Sequence, residues 1–395
     1  MAVPKLRFKE FDADYTNTTF EKLKGFSIQS GKSEEKGDTG EFPFYGSTGV
    51  IGYKDIFDYE GKSILIARVG ANAGSLYQID GKYSVSDNTL RLTVSDDTSL
   101  DYLRELLIKF NLNRLVFGTG QPLVTGGMIK KVNIFIPEFT EQTKIASFLS
   151  NVDEKISQLT QKHELLSQYK QGMMQKLFSQ QIRFKADDGS EFGEWKKVKF
   201  SDKFKFHQTN SYSRALLSEQ GEIMNIHYGD IHTKFSTLFD ISKEVVPFLS
   251  SEVNTNKFAE DQFLQVGDLV IADASEDYKD IGKALEIIHL NNQKVVAGLH
   301  TYIARPVQPF ALGFCGYLMQ TFEVREQIKK LATGISVLGI SKTNIGKVEI
   351  KVPCLKEQTK IANFLSSIDQ KIEVVVQQIE QAKTWKKGLL QQMFV

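Results

Sequence analysis

The most constraining feature of this sequence is a sixteen-residue phrase that occurs twice. Residues 141–156 read EQTKIASFLSNVDEKI and residues 357–372 read EQTKIANFLSSIDQKI, 216 positions apart and with four differences. The similarity extends at the same spacing from residue 118 to residue 178, and weaker echoes link LRFK at residue 6 with IRFK at residue 182, and FEKL at residue 20 with WKKV at residue 195. A period of this length indicates a tandem duplication of domains and excludes a solenoid of short repeats.

Each copy of the phrase opens a predicted helix of about 38 residues, about 57 Å long at the standard rise per residue. Apolar residues recur at steps of three and four with no proline inside, which is typical of a coiled-coil seam that continues through Tyr169 and Trp385. Neither helix would bury its apolar stripe alone, so we expect the two to pair; the alternative is that each packs only on its own domain. The predicted seam consists of Ile145, Leu149, Val152, Ile156, Leu159, Leu166, Ile361, Leu365, Ile368, Ile372, Val375 and Ile379.

The connectivity predicts how the helices run. Compact domains often have neighbouring termini, so the second helix is expected to start beside the end of the first and to run antiparallel to it. Short β-rich runs such as SILIARV, NTLRLTV, DLVIADA and VVAGLHTYIARPV, with short helices at SLDYLRELLIKF and ALGFCGYLMQTFEVREQIKKL, make the remaining segments α+β. The predicted fold is therefore an α+β pseudo-twofold tandem duplication, in which two globular domains (1–140 and 182–356) are separated by two long helices (141–181 and 357–395) that form an antiparallel coiled coil.

Length, charge and cysteine content limit the classes of protein to which this chain can belong. A length of 395 residues suits two domains, and a net charge of +1 means that any phosphate-binding surface must be local or completed by a partner. No apolar run is long enough for a membrane span and the start lacks the apolar core of a signal peptide, so a cytoplasmic protein without membrane contact is expected. The two cysteines, Cys315 and Cys354, are too few for a disulfide framework or a cysteine metal site.

Catalytic motifs are incomplete throughout the sequence. All eight prolines stand singly, so the Pro-Pro-aromatic loop of methyltransferases that act on exocyclic DNA amines is absent, and both GKS tripeptides lack the earlier glycine of a P-loop. His227 and His232 have only Asp230 nearby, which favours turn or surface histidines over metal ligands. We therefore expect no catalytic residue, no metal site and no cofactor in this chain.

Several motifs together carry a family resemblance. They are LRFKEF at the start, the signature P-x-x-x-EQ-x-KIA-x-FL-x-x-(V/I)D-x-KI from Pro137 and again from Pro353, and LLQQMF at the end. Over nearly its whole length the sequence resembles the specificity subunit of type I restriction-modification systems. The stretches FYGSTGVIGYKD, ARVGANAGSLY, HYGDI and GDLVIADAS are similar to the target-recognition domains of that family.

The resemblance implies a function. It implies two target-recognition domains that each read one half of a bipartite, asymmetric site in double-stranded DNA, and helices that dock two methylation subunits and set the spacer. S-adenosylmethionine would be held by the methylation subunits, and ATP and magnesium by restriction subunits, so this chain would be a non-catalytic subunit. The alternatives are a fragment of a fused restriction-methylation enzyme and a coiled-coil scaffold that does not read DNA, and a methylation assay with and without added methylation subunit separates all three.

Candidate DNA contacts are polar side chains in the glycine-rich connections, where backbone can approach phosphate and side chains can meet base edges. A turn or capping role is an open alternative for each of them. The candidates in the first half are Tyr45, Ser47, Thr48, Arg68, Asn72, Asn88, Gln121 and Lys130, and those in the second half are Tyr228, Asp230, His232, Ser275, Lys283, His300, Ser341, Lys342 and Asn344.

Overall fold

The structure is a computed structural model, and it describes residues 3–32, 37–116 and 122–395. The chain divides into two compact units. The first unit is Met1–Lys162 with Val375–Val395, and the second is His163–Val374. Each unit contains a globular part, called here the first head or the second head, and one part of each of the two long helices.

The first head is a mixture of short strands and helices. Its elements, with the long helix that follows it, are β1 (Thr16–Thr19), β2 (Ser27–Ser30), β3 (Phe42–Gly46), β4 (Gly49–Lys54), β5 (Tyr59–Glu60), β6 (Ser63–Ala67), β7 (Leu76–Ile79), β8 (Lys82–Val85), β9 (Thr89–Thr93), α1 (Leu100–Phe110), α2 (Gly126–Lys130), β10 (Asn133–Ile136) and α3 (Phe139–Phe178).

Two sheets form the body of the first head. One is antiparallel with the order β2-β9-β6-β7, and the other has the order β4-β3-β8-β5 with β3 parallel to β8. Every residue of β6 is buried, as the predicted apolar run SILIARV requires. Helix α1 confirms the helix predicted at SLDYLRELLIKF, and it begins where the Ser99 hydroxyl accepts a hydrogen bond from the Tyr102 N–H at 3.2 Å.

The second head has the same kinds of element in a different arrangement. Its elements, with the second long helix, are β11 (Lys196–Lys199), β12 (Phe204–His207), β13 (Leu217–Ser218), β14 (Met224–Ile226), α4 (Tyr228–Thr233), β15 (Leu238–Asp240), β16 (Phe248–Leu249), β17 (Leu269–Ala272), β18 (Ala274–Ser275), β19 (Ala284–His289), β20 (Val295–Ala297), β21 (Thr301–Pro306), α5 (Phe314–Gln320), α6 (Phe322–Leu331), β22 (Leu338–Gly339), α7 (Lys342–Gly346), β23 (Glu349–Val352) and α8 (Leu355–Met393).

A five-stranded sheet, β12-β21-β17-β19-β15, is the centre of the second head, and a four-stranded sheet, β13-β16-β14-β20, lies in the same unit. Two sequence runs are divided in the structure. The run VVAGLHTYIARPV becomes β20 and β21, because His300 between them has a positive φ of 56°. The run ALGFCGYLMQTFEVREQIKKL becomes α5 and α6, because Thr321 is extended. Both heads are α+β, as expected.

The long helices are antiparallel in the first unit. Ile145, Leu149 and Val152, near the start of α3, share a core with Leu389 and Met393, near the end of α8. A second contact is ionic.

The Lys386 ammonium of α8 lies 2.7 Å from the Asp153 carboxylate of α3, and it lies 3.1 Å from the Glu105 carboxylate of α1. The lysine therefore joins both long helices to the first head.

The second unit contains the equivalent contacts made with the helices exchanged. Leu177 and Phe178, at the end of α3, share a core with Ile361 and Leu365, near the start of α8. The ionic contact is made by residues 216 positions from those of the first unit.

The Lys170 ammonium of α3 lies 2.6 Å from the Asp369 carboxylate of α8, and the Tyr317 hydroxyl of α5 donates to the same carboxylate at 2.7 Å. The helices are therefore antiparallel in this unit also.

Burial along the helices follows the predicted seam for most of its length. Tyr169, which the sequence also placed on this ladder, is 51% exposed, so that part of the prediction is wrong. Its counterpart Trp385 is 53% exposed, but its ring packs edge-on against Phe148 of the other helix. Continuing the steps of four and three leads to Lys170 and Lys386 instead, and each of these pairs with an aspartate on the other helix. The buried seam residues are Ile145, Leu149, Val152, Leu159, Ile361, Leu365, Ile368, Val375 and Ile379, and the half-buried ones are Ile156, Leu166 and Ile372.

A duplicated ion pair ties each head to its long helix. In the first unit Arg7 donates from Nε and Nη2 to the two carboxylate oxygens of Glu141, at 2.9 and 2.7 Å. In the second unit Arg183 donates from the same atoms to Glu357, at 3.0 and 2.8 Å. Both glutamates are fully buried. The arginines of the LRFK and IRFK segments therefore form equivalent ion pairs in the two units, and each of these pairs is called here an Arg–Glu joint.

The second sequence echo, FEKL at residue 20 with WKKV at residue 195, does not match residues that are equivalent in the structure. Strand β1 pairs with β10 so that Thr16 is opposite Ile136, and β11 pairs with β23 so that Lys196 is opposite Val352. The structural counterpart of FEKL is therefore the segment that starts at Phe200, which WKKV precedes. The same offset matches Tyr15 with Trp195. Tyr15 donates to Glu141 at 3.0 Å and Trp195 donates to Glu357 at 3.1 Å.

Candidate nucleic-acid interface

A shallow cleft of about 570 Å³ brings together four of the first-half candidates. Ser47, Thr48, Asn72 and Asn88 all line it, although 41 residues separate the first from the last. The Ser47 hydroxyl donates to the Asn88 carbonyl at 2.8 Å, which ties the β3–β4 turn to the loop before β9. Thr48 and both asparagine residues are exposed, so their polar groups face solvent at the cleft.

The other first-half candidates lie beside this cleft or away from it. Arg68 supports it, because its N–H donates to the Asn88 carbonyl at 2.9 Å and its guanidinium to the Asp87 carbonyl at 3.4 Å. Tyr45 packs edge-on against Tyr83, and burial raises the pKa of its phenol. Lys130 ends α2 and does not line the cleft. Gln121 lies outside the described residues.

One wall of the cleft requires a close approach of two backbones. Gly31 donates its N–H to Thr89, and a Cβ built on Gly31 would lie 1.9 Å from the Val85 carbonyl oxygen. Only glycine fits at that position without moving β8. Lys32, which lines the cleft, follows directly.

A cluster of aromatic and imidazole rings brings together candidates from the second half. The Tyr228 ring lies 5.9 Å from the His232 ring and 5.3 Å from the His300 ring, edge-on to both. His300 Nδ1 lies 3.1 Å from the Asp273 carboxylate, and Lys283 donates to the His232 carbonyl at 2.7 Å. Loop, helix and strand residues that are distant in sequence therefore meet in one cluster. Within it His232 is a support, because its Nε2 lies 3.0 Å from the Ala274 carbonyl and its Nδ1 is buried.

His227 belongs to this cluster although the sequence did not single it out as a DNA contact. Its ring lies 4.7 Å from that of Tyr228, and its Nδ1 accepts a hydrogen bond from the Gly229 N–H at 3.2 Å. Burial and then the neighbouring Arg214 guanidinium lower the pKa of His227. The sequence signal available was its position next to Tyr228.

Several second-half candidates have structural roles instead. Asp230 is completely buried and pairs with Arg214 at 3.1 Å and Lys234 at 3.0 Å, so its carboxylate supports the surface without lining it. Ser275 is also buried, and its hydroxyl accepts from the Asp277 N–H at 3.1 Å. The prediction that Asp230 and Ser275 contact DNA is therefore corrected, because a buried side chain does not meet a base edge.

Ser341 and Asn344 belong to the short helix α7. The Ser341 hydroxyl accepts from the Asn344 N–H at 3.2 Å, and the Asn344 side chain donates to the Leu331 carbonyl at 3.0 Å. The capping alternative therefore describes both residues.

Lys342 extends the cationic side of the second surface. Its ammonium lies 5.1 Å from the centre of the Tyr302 ring and 3.5 Å from the His207 carbonyl. Burial and the Asp273 carboxylate raise the pKa of Tyr302 to about 12, so the phenol stays neutral beside this lysine. Tyr302 and Asp273 were not identified as candidates from the sequence, although Asp273 lies within the stretch GDLVIADAS that resembles the target-recognition domains.

Among the described residues, no group of three or more histidine, cysteine, aspartate or glutamate side chains is arranged to hold a metal ion. No helix within residues 3–32, 37–116 and 122–395 is long and apolar enough to cross a membrane.

Comparison with known proteins assigns the family. The model of the type I restriction modification DNA specificity domain matches residues 19–168 and again residues 193–384. The type I restriction enzyme MjaVIII specificity subunit of Methanocaldococcus jannaschii is 28% identical over 344 residues, which cover 83% of this chain and 77% of that protein. The type I restriction enzyme EcoprrI specificity subunit of Escherichia coli is 25% identical over 128 residues, 32% of each chain.

Solved structures show the same fold. The type I restriction-modification system S subunit from M. genitalium superposes with a TM-score of 0.63 at 15% identity, over 100% of this chain and 99% of that chain. A chain from a structural study of complex assembly in the type I R-M system superposes with a TM-score of 0.53 at 14% identity, over 96% and 97% of the two chains. The present chain belongs to the family of type I restriction modification DNA specificity proteins, and it contains two copies of the family domain.

Proposed function

We propose that this chain is the non-catalytic, DNA-reading subunit of a type I restriction-modification complex, in which each head reads one half of a bipartite, asymmetric site in double-stranded DNA. The proposal rests on a contrast between the two units. The ion pairs that join the long helices and the heads, called here the repeated frame, are the same in both units, whereas the exposed polar surfaces of the two heads differ. The Arg–Glu joint and the Lys–Asp pair occur once in each unit with the same geometry. The exposed polar surfaces of the two heads share no such correspondence, as expected if they read different sequences.

The first head offers amide and hydroxyl groups, in a cleft that Lys32 and Asp87 also line. An asparagine amide presents a donor and an acceptor side by side, and it matches the N6 and N7 edge of adenine in the major groove. Asn72 and Asn88 are exposed on the same cleft, with the Ser47 hydroxyl between strands β3 and β4. Each well-placed pair of this kind contributes about 1–3 kcal/mol of discrimination against a wrong base.

The second head offers rings and cations. His300 is half-exposed, and its backbone and its contact with Asp273 fix the direction of the imidazole. The Lys283 ammonium contacts the His232 carbonyl and the Lys342 ammonium lies over the Tyr302 ring, and phosphate contacts from these lysines would fix the register without reading sequence. We infer that the His300 imidazole and the Tyr228 phenol read base edges here and that the lysines contact the DNA backbone.

The repeated frame also suits two copies of one partner. Duplicated surfaces on a single chain bind identical subunits at equivalent positions. We propose two methylation subunits as those partners. S-adenosylmethionine would then be held by the methylation subunits, with ATP and magnesium in restriction subunits, and the long helices would set the spacer.

The test is methylome sequencing of cells that carry the chain with its methylation subunits. We expect Asn72→Ala to relax sequence preference in one half-site and His300→Gly to relax it only in the other, since glycine tolerates the positive φ of His300. His289→Ala is the matched control, because this imidazole is half-exposed in the second head but pairs with Asp240 away from the cluster. Either variant altering both half-sites, or methyl transfer by the pure chain alone, would contradict the proposal.

A further inference from the structure

His300 and Asp273 are held side by side in the ring cluster of the second head by two paired strands. Strand β17 pairs with β21 so that Ala272 is opposite Thr301, and Asp273 and His300 are the next residues beyond this pair. The Asp273 N–H donates to the His300 carbonyl at 3.1 Å, and the Ile340 N–H donates to the Asp273 carbonyl at 2.9 Å. The backbone therefore fixes where both side chains begin.

The contact between the two side chains decides which imidazole nitrogen carries a hydrogen. His300 Nδ1 lies 3.1 Å from the Asp273 carboxylate. An ionised carboxylate only accepts hydrogen bonds, so Nδ1 is the donor, and in a neutral imidazole the other nitrogen, Nε2, is then an acceptor. Burial and Asp273 raise the pKa of Tyr302 to about 12, so this phenol also approaches the carboxylate as a donor and leaves the assignment unchanged.

The acceptor nitrogen of His300 has no partner of its own. No residue in the described part of the chain forms a hydrogen bond with Nε2. The His300 side chain is 50% exposed, whereas that of Asp273 is 19% exposed. The Tyr228 ring packs edge-on against the imidazole at 5.3 Å and restricts it from a second side. His300 therefore presents one lone pair in a fixed direction.

A single acceptor in a fixed direction distinguishes bases in the major groove. Adenine N6 and cytosine N4 present amino hydrogens there, whereas guanine presents the acceptors N7 and O6 and thymine presents the acceptor O4. Opposite guanine or thymine, two acceptors would face each other and the His300 lone pair would lose its water without gaining a donor. The lysines of the same head only donate, so they do not take this role.

We propose that His300, in the tautomer fixed by Asp273, accepts a hydrogen bond from the exocyclic amino group of an adenine or cytosine in the half-site bound by the second head. This inference rests on the proposed function, because it takes DNA as the ligand of the cluster, and it names the chemical group that one residue reads. Asp273 is a positioning residue that acts through His300. The methylated adenine is not the base in question, since a base that undergoes chemistry leaves the stack.

The experiment uses the full chain assembled with its methylation subunits, on duplexes that carry the mapped target, at pH 8, above the ordinary histidine pKa of about 6.5. Each adenine or cytosine of the target, except the adenines that are methylated, is replaced in turn by purine or pyrimidin-2-one, which lack the amino group. At one position the wild-type complex is expected to lose about tenfold more affinity than His300→Gly, in which glycine keeps the positive φ and removes the acceptor. The weakened base pair is common to both complexes and cancels.

The variant Asp273→Asn tests the tautomer without removing the imidazole. An amide NH2 donates to Nδ1 and leaves the hydrogen on Nε2, as the same replacement does beside the catalytic histidine of serine proteases. This variant is expected to bind the mapped target about tenfold more weakly and to prefer guanine or thymine at the position found above. A merely structural loss would weaken binding without changing the preferred base.

Asp240→Asn is the matched control for the tautomer variant. Asp240 makes the same kind of contact with His289 Nδ1, at 2.9 Å, in the same head but away from the ring cluster. This replacement is expected to change neither the affinity nor the preferred base. If Asp273→Asn does not assemble, the nitrogen-15 shifts of the wild-type imidazoles decide the tautomer, because hydrogen on Nε2 of neutral His300 would overturn the inference and hydrogen on Nδ1 would support it.

The outcomes separate this inference from the proposed function. If no amino group is coupled to His300 while the wild-type complex still prefers its target over a scrambled duplex, the inference alone is wrong. Coupling to His300 with an unchanged base preference in Asp273→Asn would also overturn it, because the tautomer would then not be set by Asp273. A wild-type complex that binds both duplexes equally would overturn the proposed function and this inference together.

Discussion

The buried joint between Arg183 and Glu357 gives the sharpest stability prediction. Replacing Arg183 with methionine leaves a fully buried Glu357 carboxylate whose one remaining donor among the described residues is the Trp195 indole N–H, at 3.1 Å. Two charge-assisted hydrogen bonds are lost, each contributing about 1.5–3 kcal/mol, and removing one partner of a buried ion pair generally costs about 3–5 kcal/mol. We expect Arg183→Met to lower the unfolding free energy of the second unit by about 3–5 kcal/mol.

The assay is urea unfolding of the full chain followed by tryptophan fluorescence. The chain has two tryptophans, so a Trp385→Phe background leaves Trp195 to report on the second unit. The double variant Arg183→Met with Glu357→Met removes both charges and leaves one unpaired indole N–H, for an expected cost of about 1–3 kcal/mol. Lys360→Met, which breaks an exposed pair with Asp187, is the control and should cost less than about 1 kcal/mol.

Two results would refute this reasoning. One is a cost below about 1 kcal/mol for Arg183→Met, which would mean that the buried carboxylate finds another partner or water. The other is a double variant as unstable as the sum of its two single variants, which would mean that the two charges are not coupled.

Three more predictions follow from the fold and the proposed function. Exchanging residues 1–140 for the first head of another family member should change one half of the methylated site only, as mapped by methylome sequencing, and a change in both halves would argue against independent heads. Adding seven residues to each of α3 and α8 keeps the seam in phase and lengthens each helix by about 10 Å, so the spacer in the methylome should grow by about 2–3 bp, with an unchanged spacer as the contrary result. Burial raises the pKa of Glu286 from 4.5 to about 7, so its protonation stabilises the second unit fully below pH 4.5, and this contribution is lost as the pH rises through about 7. The unfolding free energy of wild type relative to Glu286→Gln should therefore rise by about 1 kcal/mol from pH 8 to pH 6, and a pH-independent difference would show that this carboxyl does not titrate there.

The long helices were predictable from local sequence, and so was their pairing. A stripe of apolar residues at steps of three and four needs only the geometry of one helix to be recognised, and no tertiary information. The prediction failed at Tyr169, where an aromatic residue looked like a better seam residue than the adjacent Lys170. The lysine occupies the seam because Asp369, on the other helix, provides its counter-charge, and that partner is 199 positions away in sequence.

The candidate surfaces were predictable only as lists of residue types. Tyr228 and His300 contact each other because β20 and β21 return the chain to α4, and this follows from strand pairing over tens of residues. The same tertiary information removed Asp230 and Ser275 from the surface, since sequence alone does not distinguish a buried aspartate with two cationic partners from an exposed one.

The sequence by itself determined that the chain is a duplication with two long helices and two unlike heads, because repeats and helical periodicity are properties of neighbouring residues. Only the tertiary structure decided that Arg7 and Arg183 are equivalent joints, that the second echo is displaced in register, and that the polar candidates divide into exposed groups and buried supports. The physical reason is that burial and pairing arise from contacts between residues far apart in the chain, and the energies of those contacts override the local preferences that a sequence displays.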